Sequence, residues 1–155
     1  MNKFGPILVI EDDPDDVDVF EEIFQKLGFL NEVIYFSNGD DALAYFHSGD
    51  IQPFLIISDI NMPRLNGLEL KRRVFLDEKL QARCIPYLFF TTSANKYAVE
   101  TAYALSAQGF FIKPDTMLAF ENTLRNIISY WQECVLPNAF AELPRVYRET
   151  LEVRY

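Results

Sequence analysis

Ile7-Leu8-Val9-Ile10-Glu11-Asp12-Asp13-Pro14 is the stretch on which the fold turns. Four successive apolar residues, three of them β-branched, read as a short strand buried on both faces. Two acids stand at its carboxyl end, and Asp13-Pro14 supplies a helix N-cap followed by proline at the first helical position. Val17, Phe20, Ile23, Phe24 and Leu27 then recur at helical spacing, and Gly28 closes the helix. The same unit repeats along the chain. Residues 32–36 read as a second strand, and Asn38-Gly39-Asp40 turns into a short helix with Ala42, Leu43 and Phe46 inward. Pro53 introduces a third strand, residues 54–58, which ends at Asp59. A loop dense in turn formers, Asn61 to Gly67, leads to a helix over about residues 68–76. Pro86 precedes a fourth strand, residues 87–90. Thr91-Thr92-Ser93 is expected to cap a helix over about residues 94–107, which Gly109 ends. Residues 110–112 make a fifth strand before Lys113-Pro114, and Met117, Leu118, Phe120, Leu124, Ile127, Ile128 and Trp131 mark the last helix. Five apolar strands alternating with five helices predict an α/β fold, a doubly wound parallel sheet covered on both faces.

The chain has 155 residues, half of them apolar and 15% aromatic, which suits one domain with a sizeable core and excludes a disordered chain. Twenty-three acids against 14 Lys and Arg give a net charge of −9. Eight of those acids (Glu11, Asp12, Asp13, Asp15, Asp16, Asp18, Glu21 and Glu22) fall within residues 11–22, which hold no base; the remainder is 15 acids to 14 bases. The charge is therefore a single carboxylate cluster on a nearly neutral domain. Phosphate backbones need clustered cations, so nucleic acid is not expected as a partner. No apolar run approaches the roughly 20 residues of a membrane span, and the N-terminus lacks the apolar region of a signal peptide. The expectation is a cytoplasmic protein with Cys84 and Cys134 as reduced thiols. His47, the only histidine, reads as a surface residue at a helix end. That removes Ser-His-Asp and Cys-His catalysis and most zinc chemistry.

In an open parallel sheet, function gathers at the carboxyl ends of the strands. Strand one delivers Glu11 and Asp12 there, strand three Asp59, strand four Thr91 and strand five Lys113. Each alone has a structural explanation as a cap or a surface charge; five at successive strand ends point to a site. Three carboxylates so close repel one another unless a cation sits among them. Oxygen ligands without His or Cys select a hard cation such as Mg²⁺. A phosphoryl group is what such a rim would handle: the metal and Lys113 would offset its charge, and Thr91 could hydrogen-bond one oxygen. Asp15, Asp16 and Asp18 read as solvated first-turn charges favoured by the helix dipole.

On these residues the chain resembles the receiver (response-regulator) domain of two-component signalling, across about residues 6–132. The matching pieces are Val9-Ile10-Glu11-Asp12-Asp13, Ser58-Asp59-Ile60-Asn61-Met62-Pro63, Asn66-Gly67, Phe90-Thr91-Thr92 and Lys113-Pro114. The start Asp12-Asp13-Pro14-Asp15-Asp16 further resembles stand-alone receivers paired with bacterial phytochromes. The resemblance implies a flavodoxin-like strand order, 2-1-3-4-5. It implies Asp59 as acceptor of a phosphoryl group from a histidine kinase or phosphotransfer protein. Mg²⁺ (or Mn²⁺) would be held by Asp12, Glu11, Asp59 and the backbone carbonyl of Asn61. Thr91 and Lys113 would contact the acyl phosphate, and Phe110 would be the aromatic switch coupled to Thr91. Asn61 and Ser93 would tune the lifetime of the phosphoryl group.

Two alternatives stand beside a phosphoacceptor switch. A Mg²⁺-dependent hydrolase working through an aspartyl phosphate would need a general acid two residues after Asp59, where this chain has Asn61. A receiver-like adaptor that is never phosphorylated would typically lack the acceptor or the acidic pair, and both are kept. Residues 133–155 fall outside the repeat and are expected as a C-terminal extension that packs on the domain or contacts a partner. They are too few for an effector domain. The signal is thus expected to leave through protein contacts at the fourth helix, fifth strand and fifth helix, with a homodimer there as one outcome.

Overall fold

The computed structural model describes residues 2–49 and 52–135. The elements are β1 (Ile7–Ile10), α1 (Pro14–Leu27), β2 (Val33–Phe36), α2 (Gly39–Ser48), β3 (Leu55–Ser58), α3 (Gly67–Leu76), α4 (Glu78–Gln81), β4 (Tyr87–Thr91), α5 (Lys96–Ala104), β5 (Gly109–Ile112) and α6 (Met117–Glu133). All strand pairs are parallel and the order is β2-β1-β3-β4-β5, the doubly wound arrangement that the alternation implies. Ile10 is in register with Ser58 across β1 and β3, so the residues that follow each strand emerge side by side. Among the described residues, no helix is long and apolar enough to cross a membrane.

Side-chain alternation sorts the core into two layers. Ile7, Val9, Leu55, Ile57, Leu88 and Phe90 face α1 and α6, where Phe20, Phe24, Phe120 and Leu124 meet them. Leu8, Ile10, Ile56, Tyr87 and Phe89 face the other helices, against Ala42, Phe46, Leu70, Leu80, Ala98 and Ala102. Buried Glu121 on α6 pairs with Lys26 at the end of α1, which ties the two helices of the first layer together, and with Arg125 one turn along α6.

Every helix starts on a polar cap whose side-chain oxygen accepts a backbone N–H: Asp13, Asn38, Asn66, Asp77, Asn95 and Thr116. The expected cap at Thr91-Thr92-Ser93 is thereby corrected. Asn95 begins α5, because its Oδ1 reaches Ala98 N–H at 2.9 Å, whereas Thr91 remains in β4. The far end of α5 also differs from expectation. The helix stops at Ala104, Ser106 takes the left-handed turn (φ 59°), and Gly109 opens β5 instead of closing a helix. The one-turn helix α4 adds a sixth helix, started by Asp77, whose Oδ1 accepts from Lys79 and Leu80. Gly28 closes α1 with φ 66°, as expected of a C-cap.

Cys84 is exposed and Cys134 partly buried, both as free thiols. His47 sits exposed in the last turn of α2, where Nε2 meets Asp77 Oδ2 at 3.1 Å. Of the expected C-terminal extension, residues 136–155 lie outside the described residues.

Candidate functional site

The ends of β1, β3, β4 and β5 carry Glu11, Asp59, Thr91 and Lys113 to one rim, all buried. Asp12, the next residue after Glu11, is half-buried. The carboxylate oxygens of Glu11, Asp12 and Asp59 lie within 4.8 Å of one another. Asp59 is 7% exposed; its Oδ2 accepts Asn61 N–H at 3.2 Å, while buried Oδ1 has no hydrogen-bond partner. A buried carboxylate oxygen without a donor is costly, and a divalent cation among three carboxylates satisfies it. The donor set, oxygen only, fits such a hard ion.

The backbone here is fixed by close approach. Gly67 passes so near the carbonyl of Asp59 that a Cβ at position 67 would stand 2.0 Å from that oxygen. Ile60 O accepts from Gly67 N–H at 3.0 Å, closing the loop over the end of β3. Ser58 Oγ donates to Asp59 O at 2.8 Å and fixes the same carbonyl.

Lys113 bridges two carboxylates: Nζ donates to Glu11 Oε2 at 2.6 Å and to Asp16 Oδ2 at 2.7 Å. Burial pushes the Glu11 carboxyl up from its ordinary value, and the Lys113 ammonium and the Asp13 N–H only partly offset this. Burial also works against the charge on Lys113, but the bonds to Asp16 and Glu11 outweigh it and hold the amine above its ordinary value. Asp16 was expected as a solvated charge, and the structure corrects this. It stands one turn before inward-facing Phe20, so position 16 flanks the buried stripe of α1 and reaches across to the end of β5. That i, i+4 relation was the available signal. Asp13, by contrast, caps α1 as expected, its Oδ1 accepting from Asp15.

The side chain of Asn61 donates to Thr91 Oγ1 at 3.4 Å and so links the loop after β3 to β4. Phe110 packs half-buried beside Phe89, with ring centroids 6.0 Å apart, on the α5 side of the sheet. Ser93 lies exposed on the loop between β4 and α5, outside the bonded cluster.

Residues 7–125 match the family model of the response regulator receiver domain. The chain belongs to the receiver domain family of response regulators. Receiver domains are signalling switches that histidine kinases phosphorylate. The chemotaxis protein CheY of Pseudomonas aeruginosa is 28% identical over 121 residues, covering 78% of this chain and 94% of that protein. The Mn²⁺-bound form of response regulator Rcp1 aligns with a TM-score of 0.75 and 26% identity, over 85% of this chain and 97% of that one. The phosphorylated cyanobacterial phytochrome response regulator RcpA shares the fold at a TM-score of 0.78 and 24% identity, covering 86% and 98%. For a receiver, the acidic cluster of Glu11, Asp12 and Asp59 suits a divalent metal.

Proposed function

We propose that Asp59 is the phosphoacceptor of this receiver and that Mg²⁺, or Mn²⁺ in its place, assists the transfer. The observation that carries the reading is the state of Asp59: a buried carboxylate at the end of β3, with one oxygen unbonded and two further acids beside it. Asp12, Glu11, Asp59 and the carbonyl of Asn61 would hold the cation. Bound there, it offsets the negative charge that gathers as phosphoryl and carboxylate meet.

This chain's own groups supply the rest. Oδ1 of Asp59 is free to attack phosphorus, forming the acyl phosphate as the bond from phosphorus to the donor's leaving group breaks. Asn61 N–H holds Oδ2 and orients the carboxylate. Lys113 turns from Glu11 and Asp16 to a phosphoryl oxygen. Thr91 donates its hydroxyl to another, giving up its contact with Asn61. Movement of Thr91 opens space for Phe110, which transmits the change to the face formed by α5, β5 and α6. Asn61 and Ser93 line the approach of hydrolytic water and set how long the phosphoryl group survives. The protein thus catalyses only its own phosphorylation and dephosphorylation. The donor is a histidine kinase or phosphotransfer protein in the cytoplasm, and the output is a protein contact, with a homodimer as one form. Residues 1–132 make the receiver and 133–155 an extension to it.

Acetyl phosphate tests this by intact mass. Expected is an adduct of one phosphoryl group that requires Mg²⁺ and is lost in Asp59→Ala. An adduct that survives Asp59→Ala, or none in the parent, would overturn the assignment.

A further inference from the structure

One helical turn along α3 from Gly67, Lys71 is buried to 6% exposure. No carboxylate stands within ion-pair distance of it among the described residues. Its Nζ lies 5.1 Å from the ring centroid of Tyr87, which is itself fully buried. The ring face offsets part of the cost of a desolvated ammonium, but burial still pushes the amine down to about 8. A core position that needed only volume would be filled by Leu or Met without that cost.

Lys71 also lines a cavity of about 310 Å³ between α3, α4, the approach to β4 and the last turns of α6. Its walls are mostly apolar: Val74, Phe75, Leu80, Ile85, Pro86 and Trp131. The volume lies at the lower end of the roughly 300–1,000 Å³ typical of small-molecule sites. Gln81, Ser106 and Gln108 add polar groups to the lining, and Lys71 is its one charged side chain, so the cavity is complementary to one anion on a largely apolar body. A carboxylate beside Lys71 would gain a charge-assisted bond in surroundings where water competes weakly. A hydrocarbon chain would cover the side chains that now face the empty space.

We propose that Lys71 and this cavity form a binding site for an amphipathic monocarboxylate, with the carboxylate on the Lys71 ammonium and the hydrocarbon against Leu80, Ile85 and Trp131. The site is separate from the phosphoryl rim, and its occupation needs neither metal nor phosphodonor. Its failure therefore leaves the Asp59 reading untouched, and the reverse holds too.

Trp131 is the only tryptophan and lines the cavity, so its emission reports occupancy. The intact protein is titrated with octanoate, and separately with octanol, without Mg²⁺. Expected is a saturable change with octanoate and about tenfold or weaker binding of octanol, which lacks the charge. Lys71→Met keeps the unbranched stem and should bring octanoate down to the level of octanol. Ile85→Phe, which fills the chamber while leaving Lys71, should weaken both. Equal binding of acid and alcohol by the parent protein overturns the proposal, as does octanoate affinity unchanged in folded Lys71→Met. Absence of saturable binding in the intact chain does so as well.

Discussion

Replacing Asp16 by Asn tests how the resting site holds its lysine. Lys113 is shared between Glu11 at 2.6 Å and Asp16 at 2.7 Å. A charge-assisted hydrogen bond contributes about 1.5–3 kcal/mol net and a neutral one about 1 kcal/mol. The Asp16 side chain is 28% exposed against 6% for Lys113, so solvent screens the pair and the lower end of that range applies. Asp16→Asn keeps the shape and an acceptor oxygen, and should therefore lower the stability of the metal-free protein by about 0.5 kcal/mol. The same change has the opposite sign once a phosphoryl group competes for Lys113. The amine then leaves a weaker partner, and about 0.5 kcal/mol corresponds to roughly twofold. Beryllofluoride with Mg²⁺, followed by calorimetry, should bind Asp16→Asn about twofold more tightly than the parent, while thermal melts of the metal-free proteins show the loss. Unchanged or weaker beryllofluoride binding by a folded Asp16→Asn would refute the reasoning, since Asp16 would then support Lys113 in the phosphorylated state instead of releasing it.

Other expectations can be checked on the same protein. Mg²⁺ or Mn²⁺ at a hundredfold excess over its Kd should raise stability by about 2.7 kcal/mol, seen as a higher Tm, and Asp12→Asn should abolish the effect. Because burial holds Glu11 above its ordinary value, the folded metal-free protein takes up a proton before the unfolded chain does. Its stability therefore gains as pH falls through that window, while metal affinity drops, as titrations at pH 7 and pH 5 would show. Gly67→Ala places a Cβ 2.0 Å from Asp59 O, so a loss of about 3 kcal/mol or more in denaturant melts is expected, with loss of metal binding. For Lys71 the folded value of about 8 lies below that of the unfolded lysine, so the burial cost is present at pH 7 and relieved as pH rises. Relative to Lys71→Met, the parent should gain up to about 3 kcal/mol between pH 8 and 10; a flat difference would contradict it.

Strands were readable in the chain because burial on both faces leaves near-continuous apolar runs, and Ile7–Ile10 and Leu55–Ser58 are such runs. The rim was readable for a topological reason. Once the strands are parallel, whatever follows each one must converge, so Glu11, Asp12, Asp59, Thr91 and Lys113 were found without knowing a single distance. What stayed hidden depends on contacts between elements. Asp16 is one of eight acids in a short stretch, and only the packing of α1 against the end of β5 singles it out. Lys71 looks like an ordinary helical lysine beside Arg72 and Arg73, because nothing local shows that its face of α3 lies on Tyr87. The start of α5 is not legible locally because Thr91, Thr92, Ser93 and Asn95 are all competent caps, and the continuation of β4 through Thr91 decides among them.

Neighbouring residues on β5 send their rings to opposite sides of the sheet. Phe110 leans on Phe89 beneath α5, whereas Phe111 stacks on Phe90, which in turn stacks on Phe120. The strand thus works like a spindle with a separate fitting on each side of the sheet. A turn of the Phe110 ring need not disturb the Phe111–Phe90–Phe120 column, so β5 can change the shape of one surface while keeping its position in the sheet. Substitutions in that column are then expected to alter stability and leave signalling amplitude alone. Substitutions at Phe110 should do the reverse, an economy that lets the two properties vary independently in a strand of four residues.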